Sequence, residues 1–277
     1  MKYANLHLHS TYSDAQFTPS QLILIGKSLG YKALALTDHE TDGGYKEFKG
    51  FADSEGGLEI LTGVEFCGMH KGDTLHIVAL DYDMNDPGFR DLVRKRVEGY
   101  TEYTRKCVEY GISIGVINTI TWDDVMSFAG ENAWVCIDTV SNTYRAKHVE
   151  IPKDLRERVF KVPETKKHKP IFPPADEVIK VIRKAGGIAA LAHPTDQTQY
   201  VPELVSMGLN GIEVDHSRIS AETASLALEA AEAFRLYHCG GTDHAGPMSG
   251  CGKDRAVPVF SGITEEELYC LKNRLLG

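Results

Sequence analysis

The apolar run that opens the chain ends in His7-Leu8-His9, and this pair limits where the first strand can sit. If Tyr3 to Leu8 is a strand, its side chains alternate. Leu6 and Leu8 then face one side, while Asn5, His7 and His9 face the other. Two imidazoles on one face at a strand end are poor core material and good metal ligands. Taken alone, the pair reads equally well as two half-exposed histidines. Its meaning depends on the strands that follow.

Short apolar runs alternate with helical patterns. Ala33 to Leu36, Leu58 to Phe66, Thr74 to Leu80, Ile188 to Ala192, Gly211 to Val214 and Arg235 to Cys239 read as strands. Thr18-Pro19 opens a helix over Ser20 to Leu29, stopped by Gly30. Asp86 to Tyr110 is a long charged helical pattern ended by Gly111. Asp176 to Lys184, Ala221 to Phe234 and Thr264 to Leu276 are further helices, the last with capping-box spacing from Thr264 to Glu267. Repeated strand-helix units predict a parallel barrel or a doubly wound sheet. Ile112 to Pro174 interrupts the rhythm. From Glu150 to Lys169 it carries seven Lys/Arg against four Asp/Glu, in a chain whose formal net charge is −9. This stretch reads as an inserted helical cap over residues 101–174, with residues 1–100 and 175–277 forming the main domain. Such a run is usually a solvated face; a lid over an anionic substrate is the alternative.

Composition narrows the function. The acidic balance opposes long nucleic acid as the resident partner, because that binding rests on a basic surface. No apolar run approaches membrane-spanning length and no signal-peptide pattern opens the chain. The six cysteines (Cys67, Cys107, Cys136, Cys239, Cys251, Cys270) show no CxxC pairing and read as thiols of a cytoplasmic protein.

Histidines and acids recur where strands end: Thr37-Asp38-His39, Gly63-Val64-Glu65, His76, Ala192-His193-Pro194, Asp215-His216 and Gly241-Thr242-Asp243-His244. In α/β folds with parallel strands, functional residues gather at the strands' carboxyl ends. Each has a plain structural explanation by itself. His76, between Leu75 and Ile77, suits a core histidine, and Asp243 suits a turn. Together they would require several independent coincidences, so a metal site is favoured.

These motifs, in this order, with His7-Leu8-His9-Ser10-Thr11-Tyr12-Ser13-Asp14 at their head, resemble the PHP (polymerase and histidinol phosphatase) family of the amidohydrolase superfamily. The resemblance implies a distorted (β/α)7 barrel with a trinuclear metal site. Carried over by position, His7, His9, Glu65 and Asp243 hold the first metal. Glu65 bridges to a second with His76 and His193, and Asp14 and His39 hold a third. The family pattern ends in Asp-x-His, whereas this chain has Asp243-His244 with Ala245 at the expected place. Either His244 serves or the third position is incomplete. A Gly-Arg-Pro-His-like cap stretch is replaced by Val135-Cys136-Ile137-Asp138, which leaves Arg145 and Arg218 as the available phosphate contacts.

The implied activity is a phosphoesterase using two or three divalent ions (Mn, Fe or Zn) on small phosphate esters, through a metal-bound hydroxide. Nucleotide-like monoesters and small cyclic phosphodiesters both fit. His216, or metal stabilisation alone, is preferred for the leaving group over His193, since a metal ligand is a poor acid; His216 is also a phosphate contact, and His193 and Asp243 complete the catalytic set. The alternatives are a 5'-3' exoribonuclease or oligonucleotide nuclease, a histidinol-phosphate phosphatase, and a non-catalytic metal-stabilised module.

Overall fold

A three-stranded and a five-stranded sheet carry the site, with helices packed around them. The computed structural model describes residues 2–244, 246 and 261–275; Ala245, Cys251 and Leu276 lie outside them. In order the elements are β1 (Ala4–Asn5), α1 (Pro19–Ser28), β2 (Ala33–Ala35), α2 (Tyr45–Glu55), β3 (Glu59–Leu61), β4 (Gly63–His70), β5 (Asp73–Leu80), α3 (Pro87–Ser113), α4 (Trp122–Ala129) and α5 (Ile137–Ala146). Then follow α6 (Pro163–Lys166), α7 (Ala175–Lys184), β6 (Ile188–Leu191), α8 (Val201–Ser206), β7 (Gly211–His216), α9 (Ala221–Phe234), β8 (Tyr237–Gly241) and α10 (Glu265–Lys272). A π-helical turn at Arg156–Phe160 and a 3₁₀ turn at Gln197–Tyr200 complete them.

The strand order is β1-β2-β3 in one sheet and β4-β5-β6-β7-β8 in the other. The uniformly parallel sheet expected from the sequence is corrected here: β5 runs antiparallel to both β4 and β6. The cause is the connection. Only Lys71 and Gly72 separate β4 from β5, both with positive φ (50° and 94°). Two such residues make a tight hairpin and cannot supply the crossover that a parallel partner needs. Among the described residues the ladders form no single closed sheet, so the coarser description, a mixed α/β fold, stands in place of the barrel.

Backbone hydrogen bonds nonetheless stitch the sheets together beside the site. Leu6 N donates to Gly240 O at 3.0 Å and Asp243 N to His7 O at 2.9 Å. On the other side Glu65 N donates to Asp38 O at 3.2 Å and Glu40 N to Glu65 O at 2.9 Å. The segments that follow β1, β2 and β8 and the start of β4 therefore meet.

The helix α3 does not stop at Gly111 as the pattern suggested. A Cβ at Gly111 would lie 2.7 Å from Ile117 Cδ1, so this glycine serves close packing inside the helix. The start of α3 places Phe89 and Val93 in the main core, while Tyr100, Tyr103, Cys107 and Val108 enter a second core with Val125, Val140, Tyr144 and Phe160. The expected boundary at residue 100 thus falls inside one helix. The capping box at Thr264 and Glu267 is present. The cysteines among the described residues are unpaired. No helix among the described residues is long and apolar enough to cross a membrane.

Candidate metal centre

Glu65 is the hub. It follows Gly63-Val64 on β4, is fully buried, and turns its two oxygens toward different histidines. Oε1 lies 2.9 Å from His76 Nδ1 and 2.9 Å from His193 Nε2. Oε2 lies 3.1 Å from His39 Nδ1, 3.3 Å from His9 Nε2 and 3.4 Å from His7 Nε2. Asp243 Oδ1 stands 3.1 Å from His9 Nε2. Asp14 stands 3.8 Å from both His9 Nδ1 and His39 Nε2.

The reversed β5 explains how a mid-strand residue reaches the strand ends. His76 is paired with Cys67 in the β4–β5 ladder. Because β5 runs the opposite way, its first half lies level with the residues where its neighbours deliver their ligands. At β8, a Cβ on Gly241 would come within 2.5 Å of both His7 Cβ and His7 N, so only glycine lets this strand pass beside His7.

The donor atoms fit a divalent cation. Among the described residues four groups of ligand atoms, each within 4.8 Å of one another, are His7/His9/Asp243, His7/Glu65/His193, His9/His39/Glu65 and, on the other side of the His7 ring, His7/Glu213/His216. Buried His9 Nδ1, His39 Nδ1 and Glu65 Oε2 have no partner of hydrogen-bond geometry among the described residues. Converging lone pairs repel one another and become favourable around a cation that takes mixed nitrogen and oxygen ligands.

The electrostatics point the same way. Burial opposes a charged His7, yet Glu213, Glu65 and Asp243 outweigh it and raise its pKa to about 10. Burial also opposes ionised Glu65 and Asp243, but the histidines around them hold both well below the usual carboxylate range. Burial pushes His39 down to about 4. A bound cation would take over from the protons that otherwise balance these carboxylates.

His216 is buried at the end of β7. Its Nδ1 accepts the Arg218 N–H at 3.1 Å, so the neutral ring carries its proton on Nε2, 3.9 Å from Asp243 Oδ2. Burial lowers its pKa to about 4. Arg218 lies against the cluster, with Nη1 2.8 Å from Asp243 Oδ2.

Two expected residues are not brought together with the rest. His244 stacks on Phe17 with ring centroids 5.5 Å apart and joins none of the ligand groups among the described residues. The chain at His244 still runs beside Leu8. Arg145 donates to Asn142 on its own helix at 2.6 Å, and it does not line the cavity that opens onto His39.

That cavity, of about 420 Å³, runs from the cluster to residues of the second core and the basic stretch. Asp14 and His39 lie at the cluster side, with Tyr100, Tyr103, Trp134 and Phe160 among the walls. Arg156, Lys161, Lys166 and Lys169 also line it. The basic stretch read from the sequence therefore includes residues that face a cavity, though not the arginine expected there.

Sequence reading missed two acids. Asp38 accepts from Ser10 N, Ser10 Oγ and Ser13 Oγ at 2.7, 2.6 and 2.6 Å, and so shapes the turn that presents Asp14. Glu213 is buried against His7, His193 and His216; its position at a carboxyl-end strand was the available signal.

An α/β protein whose strand ends converge in a histidine-carboxylate cluster capable of binding metal has the architecture of a metal-dependent hydrolase. The model of the PHP domain matches residues 5–127. By sequence the chain is 27% identical over 266 residues to the 5'-3' exoribonuclease of Haemophilus influenzae, covering 91% of this chain and 92% of that protein. It is 27% identical over 270 residues to the 3',5'-nucleoside bisphosphate phosphatase of Chromobacterium violaceum, covering 92% and 90%. It is 25% identical over 250 residues to the phosphoribosyl 1,2-cyclic phosphate 1,2-diphosphodiesterase of Eggerthella lenta, covering 87% and 94%. The fold is shared with an amidohydrolase structure from Chromobacterium violaceum at a TM-score of 0.71 and 24% identity, over 92% of each chain. The chain is thus similar to PHP-domain phosphoesterases, with the domain match falling in its first half.

Proposed function

We propose that the chain hydrolyses small phosphate esters at two or three divalent cations (Mn, Fe or Zn). His7, His9, Glu65 and Asp243 would hold one, Glu65, His76 and His193 a second, and Asp14 with His39 a third. The observation that carries this reading is Glu65: its two oxygens face separate histidine sets, as a bridging carboxylate would. Divalent ions there would polarise the phosphoryl oxygen and ease deprotonation of a water.

The chain's own residues supply the remainder. Arg218, beside Asp243, is placed to meet a phosphate oxygen. His216 presents an N–H rather than a charged acid, which suits it to hydrogen-bond the phosphate or the leaving oxygen. Residues 101–174 act as a cap, and a cavity of about 420 Å³ suits a substrate of small-molecule size. Its cations suit a substrate with negative charge beyond the scissile phosphate, such as the nucleoside bisphosphate named for one relative. The links between the two sheets support a distorted (β/α)7 barrel, and the unpaired cysteines support a cytoplasmic setting.

The test is turnover by Mn²⁺-loaded protein of a panel of phosphate monoesters, small cyclic phosphodiesters and a short oligonucleotide. Turnover of small esters, abolished by chelation and restored by added ion, is expected. Turnover of the oligonucleotide alone would favour the exoribonuclease reading, which the basic cap residues also permit.

A further inference from the structure

Glu213 touches three of the cluster's histidines without belonging to the ligand set carried over from the family pattern. It sits on β7 just before the register between β7 and β8 shifts, between Glu213 and Asp215. Irregularities of this kind re-aim side chains near active sites. Glu213 is buried. Its Oε1 lies 2.8 Å from His7 Nδ1, and its Oε2 accepts the His193 backbone N–H at 2.6 Å. The His193 backbone there has φ 26°, in the left-handed region that a non-glycine residue adopts only when held. Oε2 is also 3.6 Å from His216 Nε2.

We infer that Glu213 is a positioning residue that sets two candidate metal ligands at once, fixing the His7 ring by its tautomer and His193 through its backbone. The chemistry is specific. A carboxylate only accepts, so it requires a proton on His7 Nδ1 and leaves the Nε2 lone pair facing Glu65, His9 and Asp243. The second oxygen holds His193 in the conformation that aims its Nε2 at Glu65 Oε1. One carboxylate thereby couples ligands from the first strand and from the loop after β6. The inference rests on the metal-centre reading above and names the group that assembles it.

The test uses Glu213→Gln in the full chain. Glutamine keeps the volume and one acceptor but can present an amide N–H to His7 Nδ1. That would move the His7 proton to Nε2 and remove its lone pair from the cluster. Calorimetric titration of cation-stripped protein with Mn²⁺ should show affinity about 10–100-fold weaker than wild type, the range for lost carboxylate-histidine support. The visible spectrum of Co²⁺-loaded protein should change, while the far-ultraviolet circular dichroism of the stripped protein should not. Glu213→Asp, which keeps an acceptor on a shorter arm, should recover part of the affinity, and it carries the test if the Gln variant does not fold. Mn²⁺ affinity within about twofold of wild type, with an unchanged Co²⁺ spectrum, would overturn this inference alone. Wild-type protein that takes up no cation would overturn it together with the metal-centre reading.

Discussion

Arg96 donates from Nε to Glu40 Oε2 at 3.0 Å, and both side chains are buried. Glu40 directly follows His39 and also accepts the Cys67 N–H at 3.0 Å. Arg96 belongs to α3, lies between the two cores and stacks on Tyr100 and Phe172. Helix α3 is thereby tied to the segment that carries His39.

Breaking that pair should be costly. Burial already raises the pKa of Glu40, and Arg96 opposes the rise. Arg96→Ala would leave a buried carboxyl without its cation, a loss of about 3–5 kcal/mol. Urea unfolding should show this, and Arg96→Met combined with Glu40→Gln should recover much of it. A loss below about 1 kcal/mol for Arg96→Ala would show that the pair does not link cap and site.

The cap cations should act on substrate capture and leave the metal centre alone. Replacing Lys161, Lys166 and Lys169 together by alanine should raise KM several-fold for a substrate with two phosphates, with kcat and metal content nearly unchanged. Added salt should weaken the wild-type enzyme toward the same KM, because partly exposed charges are screened. Steady-state kinetics at two ionic strengths check both points.

One acid-sensitive contribution to stability lies outside the ligand cluster. Hydrogen bonding from His238 holds the Glu267 carboxyl down at about 2; burial opposes this, and Thr264 adds to the lowering. A depressed carboxyl stabilises the fold fully above its unfolded value near 4.5 and loses that contribution as pH falls through about 2. Glu267→Gln should therefore cost about 1–3 kcal/mol at pH 7, with the wild-type advantage shrinking below pH 4.5. Denaturant unfolding across pH 3 to 7 measures the trend; a difference independent of pH would contradict it.

The candidate ligands were legible because their chemistry resides in the side chain: histidines and acids that recur at strand ends stand out before any fold is known. Orientation was less legible. His76 looked like a core histidine, and only the reversal at Lys71-Gly72 brings it level with Glu65. Glu213 was hidden inside Gly211-Ile212-Glu213-Val214, which reads as ordinary alternation unless the later register shift is known. His244 had the right residue type beside Asp243, but its ring packs on Phe17. The basic cap stretch was visible as charge, while the face it turns to the cavity depends on a π-helical turn that no simple period reveals.

Glu65 is proposed to join the cations that would serve phosphoester hydrolysis, and this role ties the site together. It is tested most directly by metal content and turnover of Glu65→Ala beside wild type, with folding checked by circular dichroism. Bound Mn²⁺ in the wild type, loss of at least one ion in the variant, and a fall in kcat of about a thousand-fold or more are expected. A folded variant that keeps wild-type phosphoesterase turnover would contradict it.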